Sequence, residues 1–348
     1  MIVMCPNGGD ATSFYRGLGP LCHLQKQIRE ESDDRLEMLL VSSFVWESMS
    51  MTDVLFMQRP YTDSHLKVAQ MARDMGVPII VDYDDDLFSV PTDNPSHGLY
   101  MNTAVHKNIA MIVALSSHVM VSTGALKARL TKLNQNITIV PNAFNEKLFF
   151  WRNEVNMMRQ KIVFWRGSAS HARDVASFSH EMIDLGNARP DWVWNFVGSN
   201  PWFATDFMPT KTTIVCPPME IVDYHKFLHK TRPAITVVPL HNSGFNLCKS
   251  NIAWMEGIFA GSVVVAPNWE EWRVPGVHTY ETPDEFEEVI GTLMDRFNSA
   301  GGRRELLEEN RTAWAYINEN LSLKKVNQLR WNIIKQVAGQ EPLLPEGI

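Results

Sequence analysis

Apolar runs of strand length alternate along the first part of the chain with segments that have the apolar spacing of helices. Such strand-like runs lie at residues 2–5, 36–41, 54–57, 79–81, 118–122 and 137–140. Helical spacing is clearest at residues 64–75 and 124–133. Because parallel strands need helical crossovers between them, this alternation predicts a parallel sheet with helices on both faces.

The same pattern restarts after a polar, charged stretch at residues 145–159. Five further strands are predicted, at residues 161–165, 192–197, 213–216, 235–238 and 263–266. Helices are predicted at residues 171–185, 221–230 and 249–260, and from residue 283 onward the pattern is helical without strands. The sequence therefore predicts two doubly wound halves, and such sheets bind ligands in a crevice at the carboxyl ends of their strands.

Composition and charge narrow the class of protein. The chain has 348 residues, of which 45% are hydrophobic and 20% charged, as expected of a globular protein with two domains of ordinary size. A net charge of -7 argues against a generally basic nucleic-acid-binding surface. The longest apolar run, residues 109–121, is too short to span a bilayer, and the N-terminus reads as a strand rather than a signal peptide. A cytoplasmic protein without a transmembrane segment is expected. The cysteines lack paired spacing, so neither a disulfide framework nor a metal site is predicted.

The predicted helix at residues 249–260 carries two opposite charges in an otherwise apolar segment. Lys249 and Glu256 are seven positions apart, so they are expected to share one helix face. An ammonium group at a helix start favours bound phosphate, and a carboxylate two turns deeper can accept hydrogen bonds from a ribose diol. The alternative is a lysine that snorkels to solvent and a glutamate that pairs with a neighbour. The apolar face and the apolar strand that follows favour the nucleotide interpretation.

From Met255 the sequence MEGIFAGSVVVAPN continues this helix through a glycine stop into an apolar strand. Here the chain resembles retaining glycosyltransferases of the two-domain GT-B fold, most closely glycosyltransferase family four, with its glycosyltransferase-one-type C-terminal domain. That family has two glutamates separated by seven residues, and this chain has Cys248 at the position of the first. It is similar instead to a branch with lysine and serine here, in this chain Lys249-Ser250-Asn251. The resemblance implies that Lys249 contacts the donor phosphates.

The resemblance also implies the organisation of the whole chain. Two doubly wound Rossmann-like domains would face each other across a cleft, with residues 1–150 as the acceptor-side domain and residues 151–322 as the donor domain. Residues 323–348 would form a helix that packs back on the first domain. The implied donor is a nucleotide-diphosphate sugar, with UDP or GDP as the carrier, and no cofactor or metal is required. Enzymes of this kind let the leaving phosphate assist the attacking hydroxyl, so no dedicated protein base is expected.

The second half opens with KIVFWRGSASHARD, a strand that runs directly into a glycine and a helix start. Gly167 permits a tight turn, and Ser168 with the following amides can bond phosphate oxygens. The alternative is an ordinary capped turn between strand and helix. The corresponding loop of the resembled family contacts the donor diphosphate, which implies donor roles for this segment. The donor-site residues assigned in this way are Arg166, Gly167, Ser168, His171, Arg173, Lys249, Ser250, Asn251 and Glu256.

In the first half, the strand PIIV is followed by four carboxylates: Asp82, Asp84, Asp85 and Asp86. They repel one another, so they must bind a cation, accept hydrogen bonds from a helix start or face water. Manganese-binding GT-A glycosyltransferases and haloacid dehalogenase phosphatases also use Asp-x-Asp after a strand. The phosphatase pattern requires Thr or Val where Asp86 stands, and the second sheet argues against GT-A. In GT-B relatives a histidine near the reacting sugar takes the position of Asp84, which implies a catalytic role for Asp84 and a sugar or acceptor contact for Asp85.

The loop after the first strand, PNGGDATSFYRGLGP, is a further candidate for ligand contact. Gly8 and Gly9 allow the backbone to approach a sugar phosphate or an acceptor closely. Tyr15 and Arg16 open the following helix, and GT-B enzymes of the resembled branch have a Tyr-Arg pair there that faces the cleft. We therefore assign these four residues to the acceptor or sugar, with Arg16 on a donor phosphate or an acceptor anion.

Tryptophans are concentrated in the second half, and most of them alternate with apolar neighbours, which is typical of core residues. Trp269 and Trp272 lie instead in the loop NWEEWRVPG after a predicted strand. A tryptophan can stack on a sugar ring or a base. The sequence therefore favours these two as ligand contacts, with Trp269 assigned to the acceptor or sugar.

Together these features predict a hexosyl- or pentosyltransferase that moves a sugar from a nucleotide diphosphate to an acceptor hydroxyl with retention. Lys249 and Arg166 would stabilise the departing diphosphate, and Asp84 would orient the sugar or acceptor. The expected acceptor is a glycan or a lipid-linked sugar, with a hydroxymethylated pyrimidine in DNA as a further candidate. Two other functions fit the same fold, a sugar-nucleotide 2-epimerase and a sugar-nucleotide-binding protein without turnover. The sequence gives no oligomeric state.

Overall fold

The computed structural model describes residues 2–5, 11–31, 35–39, 46–145 and 160–339. These ranges form two six-stranded parallel sheets that follow one another along the chain. The polar stretch at which the sequence predicts a boundary lies, from residue 146 to residue 159, outside the described residues.

The first sheet has the order β2-β1-β3-β4-β5-β6. Its strands are β1 (Ile2–Cys5), β2 (Leu36–Met38), β3 (Val54–Gln58), β4 (Ile79–Tyr83), β5 (His118–Val121) and β6 (Ile137–Ile139). The helices of this half are α1 (Ala11–Arg16), α2 (Leu18–Glu31), α3 (Trp46–Ser50), α4 (Asp63–Asp74), α5 (His97–Tyr100), α6 (Thr103–Leu115) and α7 (Gly124–Leu130). The order reverses between β1 and β3, as in a flavodoxin-like doubly wound sheet.

The second sheet has the order β12-β11-β10-β7-β8-β9. Its strands are β7 (Gln160–Gly167), β8 (Val193–Gly198), β9 (Thr213–Cys216), β10 (Pro233–Val237), β11 (Val263–Pro267) and β12 (Val277–Tyr280). The helices are α8 (Ala172–Ala176), α9 (Ser179–Ala188), α10 (Trp202–Asp206), α11 (Ile221–Thr231), α12 (Gly244–Leu247), α13 (Ile252–Ala260), α14 (Pro283–Asn298), α15 (Ala300–Asn320) and α16 (Leu323–Val337). This is the Rossmann strand order, with its reversal between β7 and β10.

The last helix, α16, packs on the first sheet rather than the second. Trp331 and Ile334 of α16 belong to the same buried cluster as Leu24 of α2 and Phe56 of β3. The side-chain amide of Asn327 donates a hydrogen bond to the Pro20 carbonyl at 2.9 Å. The chain therefore crosses between the halves a second time just before α16.

Most elements lie where the apolar pattern predicts them. All eleven predicted strands correspond to strands of the structure, and β12 is the additional one. Its sequence, Val-His-Thr-Tyr, has two polar residues in the middle and lies at an edge of the sheet, so it lacks the continuous apolar run that identified the others. The helix predicted at residues 171–185 is divided, because a 3₁₀ turn, α8 and α9 follow one another there.

One predicted helix begins later than expected, and this changes the interpretation of its charges. The helix predicted from residue 249 begins at Ile252, with Asn251 as its N-cap. Lys249 lies in the turn between α12 and α13, so it does not share a helix face with Glu256. The prediction of a shared face was therefore wrong.

Candidate active site

A cavity of about 190 Å³ opens at the strand-order reversal of the second sheet. The chain leaves β7 toward β8 and leaves β10 toward β11, so a crevice forms between the carboxyl ends of β7 and β10. Arg166 at the end of β7 and Val238 after β10 line it, and Asp84 and Asp85 line it from the first half. The carboxyl ends of the two sheets thus face the same cavity.

Nine of the residues that the sequence predicted for the site line this cavity. They are Tyr15, Asp84, Asp85, Arg166, His171, Lys249, Ser250, Glu256 and Trp272. Residues Thr12, Trp165, Tyr224, Thr236 and Ile252 complete much of its wall.

Glu256 is the buried anion at the inner part of this cavity. Its Oε1 accepts a hydrogen bond from the Tyr15 hydroxyl at 2.6 Å, and its Oε2 accepts from Arg166 Nε at 2.9 Å and the Tyr224 hydroxyl at 3.0 Å. Burial alone would lower the pKa of Arg166, but the Glu256 carboxylate together with Tyr224 and Tyr15 outweighs it and raises that pKa. Because Tyr15 belongs to the first half, this carboxylate joins the two halves. A ribose diol would have to share Oε1 with Tyr15 or displace it.

The acidic run of the first half is compensated by arginines. Arg59, just after β3, contacts Asp85 at 2.7 Å and Asp84 at 3.6 Å. Burial raises the pKa of Asp84 to about 6, with the neighbouring charge of Asp85 adding to the effect. Burial would also raise the pKa of Asp85, but Lys249 and Arg59 outweigh it and lower that pKa. Asp85 is therefore ionised at neutral pH, whereas Asp84 titrates near pH 6.

The other two aspartates of the run are held by separate arginines, away from the cavity. Asp82 is buried against Arg16, and Asp86 accepts a hydrogen bond from Arg129 Nε at 2.9 Å. In the described part of the chain, no group of three or more histidine, cysteine, aspartate or glutamate side chains is arranged to hold a metal ion.

Lys249 extends from the turn before α13 toward the first half. Its Nζ lies 3.9 Å from Asp85 Oδ1 and 4.6 Å from the centre of the Phe245 ring. The next residue, Ser250, accepts a hydrogen bond from the Asn142 side chain at 2.7 Å. Two successive residues of this turn therefore contact the first half, which fixes the lysine at the mouth of the cavity.

A second cavity, of about 410 Å³, adjoins the first and extends between the halves. The two cavities share Thr12, Asp85, His171 and Lys249 in their walls. Beyond this shared wall the second cavity is lined by Arg59, Leu87, Val90, Asn94, Ser96, Tyr100, Ser168, Ser170 and Phe245. The predicted residue Ser168 therefore lies in the second cavity rather than the first.

Several sequence assignments need correction. Arg16 is almost fully buried, with its guanidinium donating to both Asp82 oxygens and to the Val140 carbonyl, so it supports the first half and faces neither cavity. Arg173 points to the surface, where it contacts Asp93 at 3.4 Å. Arg16 was assigned from the Tyr-Arg pair of the resembled branch and Arg173 from the resembled donor loop, and in the structure an aspartate pairs with each one.

Three further assigned residues lie beside the cavities without lining them. Asn251 caps α13 and donates its side-chain amide to the Glu271 carbonyl at 3.0 Å. Gly167 packs under the Trp165 ring and accepts a backbone hydrogen bond from Ser199. Trp269 packs on the apolar cluster behind the first cavity, and Trp272 of the same loop is the one that lines it. Gly8 and Gly9 lie outside the described residues.

Arg59 and Tyr224 are site residues that the sequence analysis missed. Arg59 directly follows β3, so the end of a parallel strand was its available signal. It also has φ of 48°, an uncommon backbone conformation for a residue other than glycine. Tyr224 lies on α11, in a helical pattern that carries no chemical signature, and only the fold brings its hydroxyl to Glu256.

Two doubly wound parallel sheets with their carboxyl ends facing a shared cleft define the GT-B fold, and this chain has that fold. Among solved structures it is similar to HepE from Anabaena in complex with UDP-glucose, with a TM-score of 0.63 at 14% identity over 96% of this chain and 99% of that one. It is also similar to an alpha,alpha-trehalose-phosphate synthase (UDP-forming) from Burkholderia vietnamiensis, with a TM-score of 0.62 at 9% identity over 97% of each chain.

A third similar structure is a putative UDP-N-acetylglucosamine 2-epimerase from Listeria monocytogenes, with a TM-score of 0.58 at 10% identity over 99% of each chain. No protein-family model and no curated protein sequence matched the chain. At these identities the similarity establishes the fold alone. Within the described residues, no helix is both long and apolar enough to cross a membrane.

Proposed function

We propose that the protein is a glycosyltransferase that moves a hexosyl or pentosyl group from a nucleotide diphosphate to an acceptor hydroxyl. The observation that carries the proposal is the cavity at the β7–β10 reversal, where Lys249, Arg166 and Glu256 meet Asp84 and Asp85 across the cleft. Reversals of this kind bind nucleotides in doubly wound sheets. The fold is shared with a structure solved in complex with UDP-glucose, which supports a nucleotide sugar as the ligand.

The donor would lie mainly against the second half. The diphosphate would contact Lys249 Nζ and the turn at Gly167 and Ser168. The ribose diol would replace the Tyr15 hydroxyl as the hydrogen-bond donor to Glu256 Oε1. UDP or GDP is the proposed carrier. We propose residues 1–150 as the acceptor-side domain, residues 151–322 as the donor domain and residues 323–348 as a returning helix.

Transfer requires that negative charge be stabilised on the leaving diphosphate. Lys249 and Arg166 supply positive charge at the cavity, which is the electrostatic contribution such a step needs. Asp84 faces the same cavity and would orient the sugar or acceptor. We propose transfer with retention and without a required metal, because protein cations already lie where the diphosphate would bind. The acceptor is proposed to be a glycan or lipid-linked sugar, with a hydroxymethylated pyrimidine in DNA as the other candidate.

The test is a thermal-shift screen with UDP-glucose, UDP-N-acetylglucosamine and GDP-mannose, followed by calorimetry on the sugar nucleotide that stabilises most. Lys249→Ala should weaken that binding by about tenfold or more, because a charge-assisted hydrogen bond contributes roughly 1.5–3 kcal/mol. It should lower turnover further still, since the charge on the diphosphate grows as it leaves. Lys226→Ala, at an exposed lysine of α11, is the matched control and should leave both unchanged.

Absence of binding to every sugar nucleotide would contradict the proposal. The rate at which the nucleoside diphosphate is released should be unchanged when a chelator is added. Loss of activity in the chelator, with recovery on adding manganese or magnesium, would contradict metal independence. The alternative function is a sugar-nucleotide 2-epimerase, because one of the similar structures carries that description. Product analysis without acceptor separates the two: an epimerase interconverts sugar nucleotides, whereas a transferase releases the diphosphate and the free sugar.

A further inference from the structure

His171 is fixed through one of its two ring nitrogens. Its Nδ1 lies 2.9 Å from Oδ2 of the buried Asp174. The other oxygen of Asp174 accepts hydrogen bonds from the Asn246 side-chain amide at 2.6 Å and from the His241 backbone amide at 3.2 Å. Both of those partners donate to Oδ1, as they would to a carboxylate. With Asp174 as the acceptor at Oδ2 as well, the proton between the two side chains is assigned to His171 Nδ1.

This arrangement determines what the other nitrogen can do. In the neutral imidazole, a protonated Nδ1 leaves Nε2 with a lone pair. Burial and then the positive charge of Lys249 lower the pKa of His171, so the ring is neutral at neutral pH. Nε2 makes no hydrogen bond to any residue in the described part of the chain, and the ring lines both cavities. A neutral Nε2 accepts a hydrogen bond from a hydroxyl but cannot donate one to a phosphate, which argues against the donor-binding role assigned from the sequence.

The second cavity has the chemistry of a site for a neutral, hydroxyl-rich molecule. The hydroxyl-bearing residues Thr12, Ser96 and Ser170 line it, and Tyr100 supplies an aromatic wall. Such a combination suits sugar hydroxyls and the apolar face of a sugar ring.

The charges at the junction of the two cavities are paired. Arg59 and Lys249 are balanced by Asp84 and Asp85, to which they lie within 4 Å. A donor diphosphate would use Lys249 as well, which leaves no excess positive charge there for an anionic acceptor.

We propose that His171 Nε2 is the base that accepts the proton of the acceptor hydroxyl, that Asp174 is its positioning residue, and that the acceptor is a neutral sugar bound in the second cavity. This inference rests on the proposed glycosyltransferase function and names its acceptor class. It departs from the expectation that the leaving phosphate serves as the only base.

Transfer forms one bond at the anomeric carbon and breaks another. The acceptor oxygen forms a bond to the anomeric carbon, and the bond from that carbon to the diphosphate oxygen breaks, with its electron pair leaving on the phosphate. The acceptor proton goes to Nε2, and Asp174 stabilises the imidazolium until solvent removes the proton. His171 ends the 3₁₀ turn that begins after Ser168, so a hydroxyl held at Nε2 would lie on the same side as a diphosphate bound at that turn. Attack from that side retains configuration.

The charged groups around His171 come from four segments, and they define the expected pH dependence. Asp174 lies on α8, Arg166 ends β7, Lys249 precedes α13 and Asp85 follows β4. Burial lowers the pKa of His171 most, Lys249 and Arg166 lower it further, and Asp174 opposes them, with a net lowering. Wild-type kcat/KM should therefore fall on the acid side of neutrality as Nε2 becomes protonated.

The experiment uses the full chain, the sugar nucleotide selected by thermal shift, and a pool of neutral methyl glycosides as acceptors, with matching sugar phosphates as the comparison. His171→Gln should lower kcat by on the order of 100-fold or more, as loss of a general base does. Donor affinity should change by less than about twofold, and the acid limb of the pH profile should lose the contribution of the imidazole and keep only the titration of Asp84, whose pKa is about 6. Added imidazole should partly restore the His171→Ala variant. The exposed His180→Gln is the matched control.

Asp174→Asn should impair turnover similarly, because an asparagine donates to Nδ1 and moves the proton to Nε2. Because loss of the buried Asp174 carboxylate can also unfold the protein, the role of His171 is judged from the His171 variants, with their melting temperatures as the check on folding.

If the wild type turns over and His171→Gln retains the wild-type kcat, this inference is overturned and the transferase function stands. Equal losses of donor affinity and kcat/KM would make His171 a donor ligand instead, and a preference for sugar phosphates would overturn the acceptor class. Absence of any wild-type turnover would contradict the transferase function itself.

Discussion

Glu256 shows how one carboxylate serves both the fold and the site. It is buried, and its two oxygens accept hydrogen bonds from Tyr15 of the first half and from Arg166 and Tyr224 of the second. A buried charge is tolerated only when such partners satisfy it. A ribose diol at Glu256 would therefore replace a tyrosine hydroxyl rather than water, so donor binding would exchange one contact between the halves for a ligand contact.

Asp84 is expected to reduce stability while it serves the site. Its pKa is raised to about 6, so the folded protein favours the protonated carboxyl. That stabilisation is fully present below the ordinary pKa of 3.8 and is lost as the pH rises through about 6. At pH 7.5 the ionised carboxylate costs up to about 3 kcal/mol, taking 1.36 kcal/mol for each unit of pKa. Asp84→Asn should therefore raise the free energy of unfolding at pH 7.5, have no such effect near pH 4, and reduce transfer.

Urea denaturation at the two pH values measures this effect. The control is Asp191→Asn, because the exposed Asp191 pairs with Lys161 and its pKa is shifted the other way, downward. That variant should change stability slightly and in the opposite direction. A loss of stability in Asp84→Asn at pH 7.5 would mean that Arg59 stabilises the carboxylate more than burial destabilises it.

At the level of elements, continuous apolar runs were enough to locate the buried strands, because a parallel strand covered on both faces has little choice of residue type. They could not show where α12 ends and α13 begins. Ser243 and Asn251 can both cap a helix, and the residues between them have helical spacing, so one helix and two short ones look alike in sequence. The position of Lys249 depends on that break, and for this reason the residue was wrongly predicted to lie on the helix face of Glu256.

The sequence also could not distinguish buried ion pairs from cleft charges. Arg16 is separated from its partner Asp82 by 66 positions, and nothing local marks the pair. His171 and Asp174 are only three residues apart, but nothing in the sequence marks them as a pair, and only the 3₁₀ turn and the buried partners of Asp174 define it. Site residues were predictable where they follow strands, and their roles were not, because roles depend on long-range partners.

Gly257 is the residue that lets α13 pack closely on the second sheet. A Cβ there would lie 2.9 Å from a methyl of Val264 in β11 and 3.0 Å from Thr236 in β10. Gly257→Ala should therefore destabilise the protein by about 1–3 kcal/mol through overpacking, despite the better helix propensity of alanine. Gly291 is the matched helical control, because a Cβ there would meet only Leu185 at 3.8 Å.

Gly291→Ala should be neutral or stabilise by about 0.5–1 kcal/mol, the usual difference between the two residues inside a helix. Denaturant unfolding of the two variants measures the contrast. Equal effects at both positions would show that α13 can shift away from the sheet at little cost. Because Gly257 also lines the first cavity, its variant should in addition weaken binding of the sugar nucleotide.

At the scale of the whole molecule, the halves are joined by two adjacent crossings of the chain. The Phe144 amide donates to the Leu321 carbonyl and the Leu323 amide donates to the Phe144 carbonyl, each at 2.8 Å. The Phe144 side chain packs on Trp314 of α15, with ring centres 4.7 Å apart, and on Phe259 of α13 at 5.4 Å. A residue at the end of the first half is thus embedded in the core of the second, and α16 returns from the second half to the core of the first.

Phe144→Ala should loosen the arrangement of the two halves as well as reduce stability. Truncating a buried phenylalanine costs about 3–5 kcal/mol, and here the lost contacts are those that hold the two crossings together. The control is Phe297→Ala, because Phe297 is equally buried in the second half and packs on Trp192, away from the crossings. Both variants should lose similar stability in denaturant. Only Phe144→Ala should speed hydrogen exchange at the Leu323 amide and increase the radius of gyration measured by X-ray scattering, because the cleft would open more freely. If the Phe297 variant changed the radius of gyration equally, general destabilisation rather than the crossings would control the cleft.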